Sequence, residues 1–104
     1  MNILYVGDIT GRLGRQTVQE VLPDVITEHQ VDYVIAQGEN VSHGRGLQVN
    51  HAEQLEAAGV NFFTGGNHSL TRSDALEQKI NTIRPANLAA KTPGQGYRIA
   101  DTPF

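Results

Sequence analysis

Three short segments of the chain are continuously apolar and rich in β-branched and aromatic residues. They read NILYV, DYVIA and VNFFT, at residues 2–6, 32–36 and 60–64, and glycine bounds each of them. Short apolar runs of this kind are typical of strands that are buried on both faces of a parallel sheet. The pattern therefore predicts three parallel strands.

Two longer segments between these strands repeat their apolar residues with helical spacing. In GRQTVQEVLPDVITEHQ, residues 14–30, one face is formed by Val18, Val21, Leu22, Val25 and Ile26. Pro23 is expected to kink this helix or to begin its second half. A second helix is predicted in NHAEQLEAAG, residues 50–59, with Asn50 as its N-cap and Gly59 as its C-cap.

The pattern weakens after the third strand. A third helix is predicted over residues 73–83, with Ser73 as its cap, and one more strand around residues 97–100. The order strand, helix, strand, helix, strand, helix is typical of an α/β domain with a parallel sheet. A chain of 104 residues fits one such domain, covering residues 1–104.

Composition and charge exclude several classes of function. The net charge is −3 and the basic residues are scattered, which argues against binding to duplex nucleic acid. The chain has no cysteine, so disulfides, thiolate zinc sites and cysteine nucleophiles are excluded. The apolar runs are too short to cross a bilayer and no signal peptide is evident, so a cytoplasmic protein without a membrane partner is expected.

Each predicted strand is followed by glycine and then by polar side chains: GD, GEN and GGNH. Ligands of open parallel sheets bind beyond the carboxyl ends of the strands, so one edge should gather Asp8, Glu39, Asn40, Asn67 and His68. Each residue alone is common in turns and caps, but their occurrence at all three strand ends favours a site. Carboxylate, amide and imidazole donors suit manganese, magnesium or ferrous iron better than calcium. The edge is therefore predicted to bind a divalent metal, which in turn would hold a phosphate.

The first of these loops could also be taken for a direct phosphate-binding loop. However, GDITGRLG lacks both the GK[ST] of a P-loop and the G-x-G-x-x-G of a dinucleotide fold. His29 and His51, in helical segments, are expected on the surface. His43, in SHGRGL, is expected in an exposed loop, with contact to a ligand as the alternative. Positions at a helix start or on the surface, with phosphate contact as the alternative, are expected for Arg12, Arg15 and Arg45.

The motifs GDITGRLGR, VIAQGEN, AGVNFFTGGNH and RPAN with TPGQGY resemble together those of the YmdB-like family of metallophosphoesterases. The resemblance covers residues 1 to about 97 and implies the N-terminal half of a metallophosphoesterase-like α/β sandwich. It implies two metal ions, manganese or iron with magnesium as a further option, and hydrolysis of phosphodiesters such as 2′,3′-cyclic nucleotides.

The resemblance also assigns a role to each residue at the strand ends. Asp8 and Glu39 match ligands of one metal ion, with Glu39 bridging towards the second ion. Asn40 and Asn67 match ligands of the second ion. His68 matches the general acid that protonates the departing alkoxide.

Family members take further histidine ligands from a second half of their chain, which this sequence lacks. The domain is therefore expected to be an incomplete, N-terminal part of a metallophosphoesterase domain. One hypothesis is a metal-dependent phosphodiesterase that acts on small phosphodiesters. The alternative is a shortened homologue that binds a nucleotide or another protein, and a third interpretation is a truncation product without activity of its own. An unpaired apolar sheet edge and a homo-oligomer are expected.

Overall fold

An α/β architecture is present in the computed structural model, which describes residues 1–78 and 80–102. Strands and helices alternate as β1 (Ile3–Val6), α1 (Gly11–Glu28), β2 (Tyr33–Gln37), α2 (Val49–Ala58), β3 (Phe62–Thr64) and α3 (Asp74–Glu77). The fold class and the βαβαβα order predicted from the sequence are confirmed.

The three strands form one parallel sheet in the order β1-β2-β3. Ile3 pairs with Tyr33 between β1 and β2, and Ile35 pairs with Phe62 between β2 and β3. Because all three strands run in the same direction, their carboxyl ends lie at one edge of the sheet. The loops that follow them therefore begin side by side.

The hydrophobic core lies between the sheet and the helices α1 and α2. Val34 and Ala36 point inward from β2 and are almost fully buried, as are Leu22 of α1 and Leu55 of α2. Phe63 of β3 is completely buried. Full burial of a large apolar side chain of this kind stabilises the fold by about 1.5–3 kcal/mol.

The apolar face of α1 is confirmed in part. Leu22 is buried and Val18 and Ile26 pack against the core, whereas Val21 is 48% exposed. The helix continues through Pro23 as one element, so Pro23 does not begin a separate second half. Leu22 and Ile26 anchor the helix on either side of the proline, and this packing offsets the hydrogen bond that proline cannot make. A kink at Pro23 stays a prediction.

The helix starts differ from the predicted ones. Helix α1 begins at Gly11 rather than at residue 14, directly after Thr10, whose backbone is extended. Helix α2 begins after Gln48, so Asn50 lies inside the helix and the predicted cap was wrong. The backbone N–H of Gln48 instead bonds to a side chain of the preceding loop. The predicted C-cap Gly59 is confirmed, with a φ of 124° that favours glycine.

The third helix is much shorter than predicted. It spans Asp74–Glu77, with Ser73 as the confirmed N-cap, and residue 79 of the predicted range lies outside the described residues. After it the chain turns to follow β3, where Phe63 forms a parallel bridge with Thr82. Backbone pairing with the sheet therefore replaces the end of the predicted helix. The strand predicted around residues 97–100 was wrong, since those residues are exposed and join no strand of the described sheet.

The outer edge of β1 is open. Within the described residues β1 pairs with β2 alone, and Ile3 and Tyr5 are 54% and 56% exposed. The unpaired apolar edge expected from the sequence is thus confirmed at β1. No helix of the described chain has both the length and the apolar character needed to cross a membrane.

Candidate metal centre at the carboxyl edge of the sheet

The polar residues at the strand ends come from three separate loops. Asp8 lies two positions after the end of β1, and Glu39 and Asn40 follow β2. His68 lies in the turn after β3. The peptide bond between Gly7 and Asp8 is cis. The parallel sheet thus brings three distant parts of the sequence to one edge.

Asn40 connects the three loops through its side-chain amide. Its Nδ2 donates to Asp8 Oδ2 over 2.8 Å, and its Oδ1 lies 2.6 Å from His68 Nδ1. Because an amide oxygen can only accept, His68 Nδ1 carries a proton and donates it to Asn40. One side chain therefore fixes the position of the first loop and the orientation of the imidazole.

Glu39 is held more firmly than Asp8. Its carboxylate accepts hydrogen bonds from Gln37 Nε2 and, over 3.1 Å, from the backbone N–H of His68. His68 Nδ1 lies 3.8 Å from Glu39 Oε2, and the glutamate side chain is only 15% exposed. Gly66 packs directly against this carboxylate, so that a Cβ at Gly66 would overlap its oxygens. Asp8 is exposed by comparison.

The structure thus brings together four of the five residues expected at the site: Asp8, Glu39, Asn40 and His68. We call these four the strand-end cluster. Asn67, the fifth, follows β3 but is exposed, and no hydrogen bond in the described chain joins its side chain to the cluster. Asn67 lines a cavity with Gly66, Leu70, Pro85, Asn87 and Leu88. Its role as a ligand stays a prediction.

The donor types of the strand-end cluster are those that bind divalent cations. Two carboxylates supply negative charge and Asn40 supplies an amide oxygen, which are donors that hard cations prefer. The described residues contain no group of three or more histidine, aspartate and glutamate side chains placed to hold a metal ion. A centre with two ions would need more donors than this cluster provides.

Two residues expected on the surface or at a helix start are buried. His51 is 7% exposed and lies 2.7 Å, through its Nδ1, from the hydroxyl of Ser42. Arg15 is 8% exposed, and its Nη1 donates to the backbone oxygen of Val41 over 2.7 Å. The surface position expected for His51 was wrong, and Arg15 lies near the start of α1 as expected but is buried there. The sequence spacing already indicated that His51 is buried, because His51 stands four positions before the core residue Leu55 on the same helix face.

The remaining candidates are found where the sequence placed them. His29 is exposed at the end of α1, and His43 is exposed in the loop after β2. Arg12 and Arg45 are also exposed. No ion pair within the described residues involves these arginines.

Comparison with known proteins identifies the family to which this chain belongs. The family model described as YmdB-like protein matches residues 4–103, which is nearly the whole chain. The chain belongs to the YmdB-like protein family. The resemblance expected from the sequence motifs is thus confirmed.

Two relatives with assigned names illustrate this membership. The chain is 36% identical over 99 residues to the 2′,3′-cyclic-nucleotide 2′-phosphodiesterase of Bacillus subtilis (strain 168), covering 92% of this chain and 38% of that protein. It is 37% identical over 106 residues to a putative phosphatase/phosphodiesterase of Mycoplasma pneumoniae. This match covers 95% of this chain and 38% of that protein. The chain therefore spans less than half the length of these YmdB-like relatives.

Solved structures share the fold. A crystal structure of a hypothetical protein from Thermus thermophilus superposes with a TM-score of 0.88 at 33% identity, covering 99% of this chain and 41% of that one. A crystal structure of a novel phosphatase from Mycoplasma pneumoniae superposes with a TM-score of 0.81 at 33% identity. The superposition covers 94% of this chain and 38% of that one. The α/β fold of this chain therefore corresponds to part of a phosphatase fold.

Proposed function

We propose that this chain provides part of the metal centre of a phosphodiesterase that hydrolyses small phosphodiesters such as 2′,3′-cyclic nucleotides. The observation that carries the proposal is the strand-end cluster, in which Asn40 joins Asp8 and His68 by hydrogen bonds while Glu39 packs beside His68. The substrate class is supported by the name of the Bacillus subtilis relative.

The residues that would hold a divalent metal are Asp8, Glu39, Asn40 and Asn67. Asp8 and Glu39 would hold one ion, and Asn40 and Asn67 would contribute to holding a second. Manganese or iron is proposed, with magnesium as a further option, because the imidazole of His68 lies beside these oxygen donors. When bound, a divalent ion polarises a phosphoryl oxygen and lowers the pKa of a bound water.

His68 is the residue that moves a proton in this proposal. Its Nδ1–H is engaged by Asn40, so Nε2 is the nitrogen that gains and releases the second proton. The imidazole side chain is 33% exposed, which leaves it accessible to a substrate at the sheet edge. When doubly protonated, His68 donates a proton from Nε2 to the departing alkoxide oxygen.

We also propose that residues 1–104 form a single but incomplete domain. The exposed apolar residues on β1 support this, because parallel sheets normally have both faces covered. The chain covers 38% of its Bacillus subtilis relative, so most of that protein has no counterpart here. Additional polypeptide packed on β1 would lie beside Asp8 and could complete the donor set.

The test compares Asp8→Asn with Asp24→Asn, a matched change at an exposed carboxylate on α1. Manganese binding is measured by calorimetry, and hydrolysis of 2′,3′-cyclic AMP is measured with the chain alone and with the remaining part of the Bacillus subtilis relative. We expect Asp8→Asn to lose manganese binding and any turnover, while Asp24→Asn behaves as wild type. Equal manganese affinity in both variants would contradict the proposal.

The second candidate function is a module that binds a nucleotide or a second copy of the chain without turnover. It is favoured by the open edge of β1, where Ile3 and Tyr5 are exposed. Native mass spectrometry with manganese and 2′,3′-cyclic AMP separates the two functions. Bound, unhydrolysed nucleotide or a stable dimer would support the module, whereas efficient turnover by the purified chain would rule it out.

A further inference from the structure

The loop between β2 and α2, residues 38–48, begins with two members of the strand-end cluster and is folded back on itself. We call it the site loop. The backbone N–H of Ser42 donates to the oxygen of Gly46 over 2.9 Å, and the N–H of Gly46 donates to the oxygen of Glu39. Gly46 has a φ of 86°, a conformation that favours glycine. The position of Glu39 therefore depends on the turn that follows it.

A buried hydroxyl closes this turn. The side chain of Ser42 is fully buried, and its Oγ accepts a hydrogen bond from the backbone N–H of Gln48 over 2.8 Å. The same Oγ lies 2.7 Å from His51 Nδ1, on α2. The hydrogen-bond geometry is satisfied when the hydroxyl proton points to His51, which then accepts it at Nδ1.

This arrangement requires a neutral imidazole with its proton on Nε2. Burial lowers the pKa of His51, and the positive charges of Arg15, His43 and Arg72 lower it further. His43 lies with its ring centre 5.8 Å from that of His51, in an edge-on orientation. The surroundings therefore favour the neutral form of His51, which acceptance of a hydrogen bond from Ser42 requires.

Helix α1 holds the site loop from the other side. Arg15 donates to the backbone oxygen of Val41 over 2.7 Å, and the N–H of Gly11 donates to the backbone oxygen of Asn40 over 3.0 Å. These contacts fix residues 40 and 41, and His51 holds the next residue, Ser42, whose Oγ also binds the end of the loop at Gln48. The two helices thus hold neighbouring residues of the site loop, directly after Glu39.

We propose that His51 is a positioning residue, which through Ser42 fixes the site loop that presents Glu39 and Asn40 to a divalent metal. His51 contacts neither residue directly. Its effect on metal affinity rests on the proposed function above, whereas its effect on the site loop does not. Loss of a direct hydrogen-bond partner of a metal ligand typically lowers metal affinity about 10- to 100-fold. Because His51 acts through Ser42, its effect is expected to be smaller.

The test uses His51→Leu, which removes the acceptor, and His51→Asn, whose amide oxygen can replace Nδ1. His29→Leu, at the exposed end of α1, is the control. Hydrogen exchange of the amides of Gly46 and Gln48 measures how firmly the site loop is held. Calorimetry with manganese chloride measures the metal affinity of the strand-end cluster. We expect His51→Leu to accelerate exchange at both amides and to weaken manganese binding by less than the roughly 10-fold lost with a direct partner of a ligand, with recovery in His51→Asn.

Unchanged exchange and affinity in His51→Leu would overturn the inference. If wild-type protein binds no manganese, the proposed function fails, and amide exchange alone then decides the role of His51. Ser42→Ala leaves the ring in place but removes the bonds of Ser42 Oγ to both His51 and Gln48, so its readout is the Gly46 amide, which bonds to Glu39. Wild-type exchange at Gly46 in Ser42→Ala would also overturn the inference.

Discussion

The two sides of the sheet differ in how completely they are covered. On the β3 side, Phe63 is fully buried and the chain after α3 returns to pair with it through Thr82. On the β1 side, Ile3 and Tyr5 are more than half exposed. The same difference extends into the strand-end cluster, where Glu39 is enclosed and Asp8 is exposed. Packing thus holds the Glu39 side of the candidate centre in place, whereas the Asp8 side lies beside the open edge of β1.

Stability should depend mainly on the covered side. Phe63→Ala is expected to lower the free energy of unfolding by about 3–5 kcal/mol, because it leaves a cavity in the core. Ile3→Ala, in the strand on the open side, is expected to lower the free energy of unfolding by less than about 1 kcal/mol. Urea titration followed by circular dichroism measures both. Equal losses would show that β1 is covered in solution.

Metal affinity should depend on the close approach of Gly66 to Glu39. Gly66→Ala places a Cβ where the carboxylate lies, so we expect manganese affinity to fall about 10- to 100-fold in calorimetry. Gly14→Ala on the β1 side is the control, since its added Cβ meets Ile9 at ordinary van der Waals distance. An unchanged affinity in Gly66→Ala would mean that Glu39 does not bind the metal where it now lies.

Association should depend on the open side. A lysine at the exposed edge of a sheet disfavours pairing with another chain, so Ile3→Lys is expected to shift any dimer towards monomer. Gln19→Lys adds the same charge at an exposed position of α1 and should leave association unchanged. Analytical ultracentrifugation at several concentrations measures the shift. Similar behaviour of the two variants would show that β1 is not the interface.

The smallest effect is expected in the pH dependence of stability. The pKa of His51 is lowered from 6.5 by burial and by Arg15, so below about pH 6.5 the unfolded chain binds a proton that the folded chain does not. Stability should therefore fall as the pH decreases from 6.5 towards the folded pKa, and the loss should level off below it. His51→Asn should show a shallower decrease in urea titrations between pH 7.5 and pH 5, whereas His29→Asn should match wild type.

Apolar runs and helical spacing predicted most of the fold, because strand and helix periodicity follow directly from local geometry. The ends of the elements were less predictable. The helix expected over residues 73–83 is a single turn, since pairing of the chain with Phe63 competes with helix formation. The strand expected around residues 97–100 has no neighbour in the described sheet to pair with.

The candidate site was predictable to a similar extent. Asp8, Glu39, Asn40 and His68 could be placed at one edge because parallel strands end together. Asn67 follows the same rule, yet its side chain is exposed and makes no hydrogen bond to the cluster within the described residues. A position next to a strand end determines which loop a residue belongs to, but not the direction of its side chain.

By itself, the sequence determined the α/β order, the parallel sheet and the edge at which the polar residues gather. These features depend on local periodicity and on the direction of the strands. Only the tertiary structure decided that His51 and Arg15 are buried, that Gly66 packs against Glu39, and that β1 is the open side. Those features depend on contacts between residues far apart in the chain, which a local pattern does not encode.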